Sequence, residues 1–174
     1  MSLIYTEIAE IFHEIVNLSE LKFDRLKGIS IDYDIQTAMD YEPNSETIRI
    51  NPILLSKQHN KKFKEVITFE DFIRIVFYHE LGHAIDYSEN RQKLIILNQY
   101  YIQVEENPTH KGIEDLKNKI IQETVNSEKR AWEYAELLIP NYIRDYFHIV
   151  KLEAANNLEN DVATNIAYFF EPNK

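Results

Sequence analysis

The sequence predicts a single α+β domain that is mostly helical and carries a small antiparallel sheet. Apolar residues recur at helical spacing along most of the 174 residues, and only three glycines and five prolines interrupt the chain. Two short stretches instead alternate apolar and polar residues, which is typical of half-buried strands. No internal repeat or linker divides the chain, so one domain over residues 1–174 is expected.

The first element is predicted to be an amphipathic helix over residues 3–18. Ile8, Ile11 and Ile15 are spaced by three and four residues, which brings them onto one helical face. Polar residues lie between them, so this face packs against a core while the opposite face meets water.

Two strands are predicted next, over residues 29–35 and 47–51, with a turn at residues 43–45 between them. Pro52 closes the second stretch, and a proline without an N–H group suits a strand end or a sheet edge. An edge strand beside a binding cleft can take up an extended peptide through main-chain hydrogen bonds. A purely structural hairpin strand explains the same pattern equally well.

Residues 57–64 then form a basic run with four lysines, in a chain whose net charge is −10. Runs of like charge are usually solvated, so a surface loop is predicted here. His59, inside the run, is expected to be a surface residue.

Residues 68–87 are predicted to form the helix around which the chain is organised. Thr68 and Asp71 fit an N-cap with an acidic partner three residues later. His79 and His83 are four residues apart, so both imidazoles point to the same side of the helix and can share a metal ion. They continue an apolar stripe, which predicts that they face a core, where an imidazole needs a partner.

Residues 79–83 read His-Glu-Leu-Gly-His, the H-E-x-x-H pattern in which two histidines bind zinc and the glutamate is a general base. Glu80 is therefore the candidate catalytic base, and one zinc ion per chain is expected. Gly82 lies mid-helix at a cost of about 1 kcal/mol relative to alanine, which indicates that another backbone passes close by. The alternative is that both histidines only pack inside a helical interaction domain that binds no metal.

Helical spacing also predicts helices over residues 91–106, 113–139, 142–158 and 161–170. In the second of these, Glu128 lies in the middle of an apolar stripe that consists of Ile121, Val125, Ala131, Trp132 and Ala135. A carboxylate is costly to bury there unless it is paired or bound to a metal, so Glu128 is the predicted third ligand. A core-facing glutamate with an ionic partner is the alternative. Asp86, on the ligand side of the central helix, is a candidate for orienting a ligand imidazole, or for a helix-surface salt bridge.

Composition excludes several classes of function. A net charge of −10 without a basic patch argues against a nucleic acid partner. The chain has no cysteine, which leaves histidines and carboxylates as the available metal ligands. No apolar run approaches the length of about 18 residues that a membrane span needs, and the N-terminal stretch lacks a signal core. A cytoplasmic protein without a membrane partner is therefore expected.

Two stretches resemble the ImmA/IrrE-type metallopeptidases, which belong to the gluzincin group of zincins. They are HELGHA at residues 79–84 and the pattern E-x-x-A-x-x-Y-A-x-x-L-x-P at residues 128–140. Residues 47–52 are similar to the strand that these proteins place before the motif helix. Arg130 and Trp132 depart from the family pattern, which commonly has an acidic residue and Asn or Asp at these positions.

The resemblance implies a zincin-like metallopeptidase domain with an HExxH active-site helix. It implies that His79, His83 and Glu128 bind zinc and that Glu80 is the base. HELGHAID, at residues 79–86, also resembles the anthrax lethal-factor-like peptidase domains, which are the second choice of family.

Either resemblance implies a zinc-dependent endopeptidase that acts on a peptide or protein substrate. Tyr87, Tyr142 and His148 are candidates for helping to polarise the scissile carbonyl. Two other functions stay open. One is a catalytically silent metal-binding protein with a structural or regulatory role, and the other is a helical protein-interaction domain without metal.

Overall fold

The computed structural model describes residues 2–18, 26–107, 112–156 and 158–170. Within these residues the chain is mostly helical with one small sheet, as predicted. In chain order the elements are α1 (Ser2–Leu18), β1 (Gly28–Ile31), β2 (Met39–Glu42), β3 (Thr47–Ile50), α2 (Pro52–Lys62), α3 (Phe69–Glu89), α4 (Arg91–Glu106), α5 (Ile113–Leu138), a 3₁₀ turn (Asn141–Ile143), α6 (Arg144–Ala155) and α7 (Leu158–Phe170).

The sheet is mixed rather than antiparallel, which corrects the prediction. Its strand order is β1-β3-β2, with β1 parallel and β2 antiparallel to β3. The stretch predicted as an edge strand, residues 47–51, therefore supplies the central strand. Its alternation is real, because Ile48 and Ile50 are fully buried. β1 ends at Ile31, earlier than predicted, since the Asp34 N–H turns back to the Asp32 carboxylate at 2.9 Å.

The strand that sequence analysis missed, β2, occupies the sheet edge. Only Met39 and Tyr41 carry its alternating pattern, and both are buried. A bidentate ion pair holds its register, because Arg49 on β3 donates to both oxygens of Asp40 at 2.8 Å. β2 also packs against α3, so it is the exposed sheet edge that adjoins the central helix.

Most of the basic run, residues 57–62, belongs to helix α2, so the predicted loop is wrong there and only residues 63–64 lie in a turn. Asn51 caps α2 by accepting from the backbone N–H groups of Ile53 and Leu54, and Pro52 occupies the first helical turn, where its missing N–H has no consequence. His59 is also not a surface residue. It is buried one turn after Leu55, and its Nε2 lies 2.7 Å from the Ile67 carbonyl oxygen.

The central helix α3 begins where predicted and is buried along most of its length. The Thr68 hydroxyl accepts from the Asp71 N–H at 3.1 Å and donates to its carboxylate at 2.8 Å. The expectation of a nearby backbone at Gly82 is confirmed: a Cβ built there would lie 2.0 Å from the Ala131 carbonyl oxygen. α3 and α5 therefore approach each other as closely as two backbones can.

Two hydrophobic clusters surround this helix pair. The larger cluster joins α1, the sheet, α2, α3 and α6, and Ile8, Ile11 and Ile15 of α1 are buried in it as predicted. The smaller cluster lies between α4, α5 and α7 and is formed by Val104, Ile120, Val125, Val162 and Ile166. Among the described helices, none has the length and apolar character needed to cross a bilayer.

Candidate metal centre

The structure brings the three predicted ligands together from two helices. His79 and His83 come from adjacent turns of α3, and Glu128 comes from the facing side of α5. The distance from His79 Nε2 to Glu128 Oε2 is 3.3 Å, and that from His83 Nε2 to Glu128 Oε1 is 3.4 Å. One donor atom from each residue lies within 4.8 Å of the other two.

These distances are compatible with a shared metal ion and with a weak ion pair. Zinc bonds of about 2.0–2.2 Å at tetrahedral angles put neighbouring ligand atoms about 3.3–3.5 Å apart. A charge-assisted hydrogen bond from an imidazolium to a carboxylate would instead be about 2.7–2.9 Å long. The separations of 3.3 and 3.4 Å exceed this hydrogen-bond length, but they end on different oxygens of Glu128, so a carboxylate that bridges the two imidazoles fits them as well.

Aromatic stacking, rather than hydrogen bonding, orients both imidazoles. The His79 ring stacks on Trp132 with centroids 4.1 Å apart and planes 22° apart, and His83 stacks on Tyr87 at 6.0 Å and 29°. The Nδ1 atoms of both histidines are buried and have no hydrogen-bond partner among the described residues. Ligand histidines usually donate from this nitrogen. Here, packing turns both Nε2 atoms toward Glu128, and Trp132, one of the departures from the family pattern, carries that function for His79.

Asp86 joins the two helices instead of holding an imidazole. Its carboxylate is buried and accepts from Ser127 Oγ at 2.8 Å and from the Arg130 guanidinium. Ser127 and Arg130 lie on either side of Glu128 along α5. Asp86 therefore forms the predicted salt bridge, with Arg130, but its carboxylate is buried. In place of the predicted contact with a histidine ring, Asp86 holds two neighbours of Glu128 on α5. Arg130, the other departure from the family pattern, also pairs with Glu123 at 3.0 Å.

The charges of the cluster are strongly coupled. Burial lowers the pKa of His83, but the negative charge of Glu128, together with those of nearby carboxylates, outweighs burial and raises it to about 9. Burial raises the pKa of Glu128, but the charges of His83 and His79 outweigh it and hold the pKa well below its usual range. Burial is also the main reason why the pKa of Glu80 is raised. Glu80 is thus a carboxyl group with a raised pKa that lies next to the candidate ligands.

Two clefts meet at this cluster. The first, of about 640 Å³, lies between β2, α2, α3 and α6, and Glu80 lines it. The second, of about 670 Å³, lies between the turn after β2, α4 and α5. Both are lined by His83, Glu128, Tyr41 and Tyr87, so the candidate ligands stand where the two clefts join. A chain that ran through both clefts would pass the cluster.

The candidates for a carbonyl-polarising group are separated by the structure. Tyr87 lines both clefts, whereas Tyr142 and His148 line neither of these two clefts, and Tyr142 is 65 % exposed on the 3₁₀ turn. Burial, reinforced by the charge of Glu128, raises the pKa of Tyr87 above its ordinary value, so its hydroxyl stays protonated. Sequence analysis did not identify Tyr41 as a residue that lines both clefts, because it lies on the missed strand β2. The alternation of Tyr41 with Met39 was the available signal for this strand.

Comparison with protein-family models, with curated proteins and with solved structures finds no match to this chain. The likeness to metallopeptidases therefore depends on the motif residues and on their arrangement in this structure.

Proposed function

We propose that this chain is a zinc-dependent endopeptidase of the zincin-like, gluzincin type. His79, His83 and Glu128 would hold one zinc ion per chain, and Glu80 would be the general base. The convergence of three donor groups carries the proposal, because one possible ligand atom from each of His79, His83 and Glu128 lies within 4.8 Å of the other two. Its likeness to the ImmA/IrrE-type peptidases is consistent with this function.

The reaction is hydrolysis of a peptide bond. Bound zinc would supply Lewis acidity, which lowers the pKa of a coordinated water toward about 7. Glu80 takes a proton from the attacking water and delivers it to the nitrogen of the leaving amine. Its burial supports this role, because the raised pKa makes Glu80 a stronger proton acceptor than an exposed carboxylate. The Tyr87 hydroxyl, which lines the cleft, would donate a hydrogen bond to the carbonyl oxygen.

The proposed substrate is a peptide or an unfolded protein segment in an extended conformation. β2 supports this, because it is an edge strand of the sheet and its residues Met39, Asp40 and Tyr41 line the first cleft. An extended chain could add to this edge through main-chain hydrogen bonds, as first expected for residues 47–51. A net charge of −10 argues against a nucleic acid in the same groove.

The test combines zinc content with cleavage. Wild type, freed of metal by a chelator and reloaded, is expected to hold one zinc ion per chain by elemental analysis and to cleave unfolded casein. Glu80→Gln is expected to keep the zinc and to lose cleavage by a factor of about 10²–10⁴. Glu133→Gln, the same change at an exposed position of α5, is the control and should cleave normally.

The other outcomes identify the alternatives. Zinc binding without any cleavage by wild type would replace the proposal by a metal-binding protein with a structural or regulatory role. Absence of metal after mild purification, together with a melting temperature that zinc does not change, would support a helical interaction domain. An anomalous scattering map at the zinc edge would identify metal and ligands together.

A further inference from the structure

One wall of the first cleft carries positive charges that no carboxylate in the described part of the chain pairs with. Lys57 and Lys61 of α2 both line this cleft and are exposed. They are four residues apart, so they lie on the same side of the helix. Neither forms an ion pair with another described residue. In a chain of net charge −10, two adjacent unpaired cations beside the candidate metal centre require an explanation.

The carboxylates of the same cleft are already engaged. Asp40 is held by Arg49 at 2.8 Å, and Glu153 pairs with Lys62 at 2.7 Å. The remaining two, Glu80 and Glu128, belong to the candidate metal centre. Outside that centre, three lysines and two carboxylates line the described part of the cleft, and the two lysines without an ion-pair partner, Lys57 and Lys61, are both on α2.

Helix stability explains only part of this pattern. Basic residues in the last turn of a helix interact favourably with its dipole, and this accounts for Lys61 and Lys62. Lys57 lies in the middle of α2, where the dipole has little effect. Lys64, just beyond the helix and outside the cleft, pairs with Glu65 at 3.7 Å.

The second cleft also has a lining cation without an ion-pair partner among the described residues. Arg91, at the start of α4, lines it and forms no ion pair with the described residues. The one carboxylate of that cleft outside the metal centre, Glu46, is engaged by Lys27 at 3.0 Å. Cations without an ion-pair partner among the described residues therefore flank the candidate centre on both sides, where they can attract anionic groups of a ligand.

We propose that the substrate is an acidic peptide segment whose carboxylates contact Lys57 and Lys61 while the scissile bond lies at the metal centre. This inference rests on the proposed peptidase function. Side chains two residues apart in an extended chain lie on the same face and about 6.6–6.8 Å apart. Residues one helical turn apart have Cβ atoms about 5–6 Å apart. The pattern that fits the pair is thus an acidic residue, any residue, and a second acidic residue.

Three peptide pools test the inference. The pools have equal length and random sequence except for a fixed central Glu-x-Glu, Gln-x-Gln or Lys-x-Lys. Zinc-loaded wild type is expected to cleave the Glu pool about three to ten times faster than the Gln pool, as two exposed charge pairs allow, and the Lys pool most slowly. The preference should weaken at high salt, because the Debye length falls from about 8 Å at 0.15 M to about 3 Å at 1 M.

Variants then locate the preference. Lys57→Gln/Lys61→Gln is expected to bring the ratio of the Glu-pool rate to the Gln-pool rate close to one, with zinc content unchanged. Lys64→Gln, which removes a lysine of the same run outside the cleft, should keep the wild-type ratio. Equal cleavage of all pools by wild type, or an unchanged ratio in the double variant, would overturn the acidic-substrate inference and leave the peptidase. No zinc-dependent cleavage of any pool would overturn the proposed function itself.

Discussion

Replacing Gly82 by alanine tests whether the close approach of α3 and α5 builds the metal centre. Helix propensity alone predicts that Gly82→Ala stabilises α3 by about 1 kcal/mol. The structure predicts the opposite, because the new Cβ would lie 2.0 Å from the Ala131 carbonyl oxygen and 2.8 Å from its carbon. Ordinary contact begins at 3.4 Å. The helices must therefore separate by roughly 1 Å or more, since a backbone carbonyl in a helix cannot rotate away.

Overpacking of this kind costs about 1–3 kcal/mol, and a clash with backbone belongs at the upper end. For a chain of this size, each kcal/mol lowers the melting temperature by about 2–4 °C. Separation of the helices also moves Glu128 away from both imidazoles, so zinc affinity should fall by more than about tenfold. Thermal unfolding of the metal-free protein and chelator competition for zinc measure the two effects separately.

Ser88→Ala, at an exposed position of the same helix, is the control and should leave stability and zinc affinity near the wild-type values. A Gly82→Ala protein as stable as wild type, with the same zinc affinity, would refute the reasoning. It would show that the distance between the helices does not set the position of Glu128.

Three further changes test the remaining parts of the centre. Trp132→Leu removes the ring that orients the imidazole of His79 and should weaken zinc binding by about tenfold in chelator competition. Trp132→Phe, whose ring can still stack, should keep most of the wild-type affinity. Equal zinc affinities for wild type and Trp132→Leu would contradict this role of Trp132. Zinc affinity should rise by about tenfold per pH unit up to about pH 9, because His83 must lose a proton to bind metal and its pKa is raised to about 9. Calorimetry in buffers of different ionisation enthalpy should detect the released proton. An affinity independent of pH would contradict the coupling between His83 and Glu128. Asp86→Asn leaves Arg130 partly buried without its main partner and should lower the free energy of unfolding in urea by about 2–3 kcal/mol. At the half-buried Asp71, whose carboxylate accepts from Thr68 in the cap of α3, replacement by Asn should cost about 1 kcal/mol or less. Similar losses for both would show that the buried pair adds little.

The clustering of the three candidate ligands could be predicted because helical periodicity is a local property. His79 and His83 share a face in any helix that contains them, and the apolar stripe around Glu128 determines which side of α5 turns inward. The expectation at Gly82 also followed from local reasoning, since a glycine inside a helix has a cost that close packing can explain.

The errors involve either contacts between distant residues or weak local signals. β2 is four residues long, with only Met39 and Tyr41 to mark it, and its omission made β3 an edge strand. No local pattern reveals that β1 pairs directly and in parallel with β3, although β2 lies between them in sequence. α2 was missed because its charges concealed a short inward stripe, Leu55 and His59, although Asn51 followed by Pro52 is a helix-start signal.

Periodicity also leaves open the register of α5 against α3, on which the whole site depends. In the structure, His79 faces Trp132 and His83 faces Glu128, so a four-residue advance along α3 matches a four-residue retreat along α5. The helices are therefore antiparallel here. A slip of one turn would place Trp132 or Thr124 opposite His83, so that Glu128 would no longer lie between the two imidazoles.

Two contacts between α3 and α5 select this register. Asp86 accepts hydrogen bonds from the residues on either side of Glu128, and Ala131 packs against the bare backbone of Gly82. A slip by one turn would bring a different residue against Gly82 and would leave the buried Asp86 without the guanidinium of Arg130, an uncompensated buried charge that costs several kcal/mol. The hydrogen bonds of Asp86 disfavour other registers of α5 against α3, and Gly82 permits the two helices to approach each other closely. Together they explain why a centre assembled from two separate helices can hold its ligand atoms at one spacing.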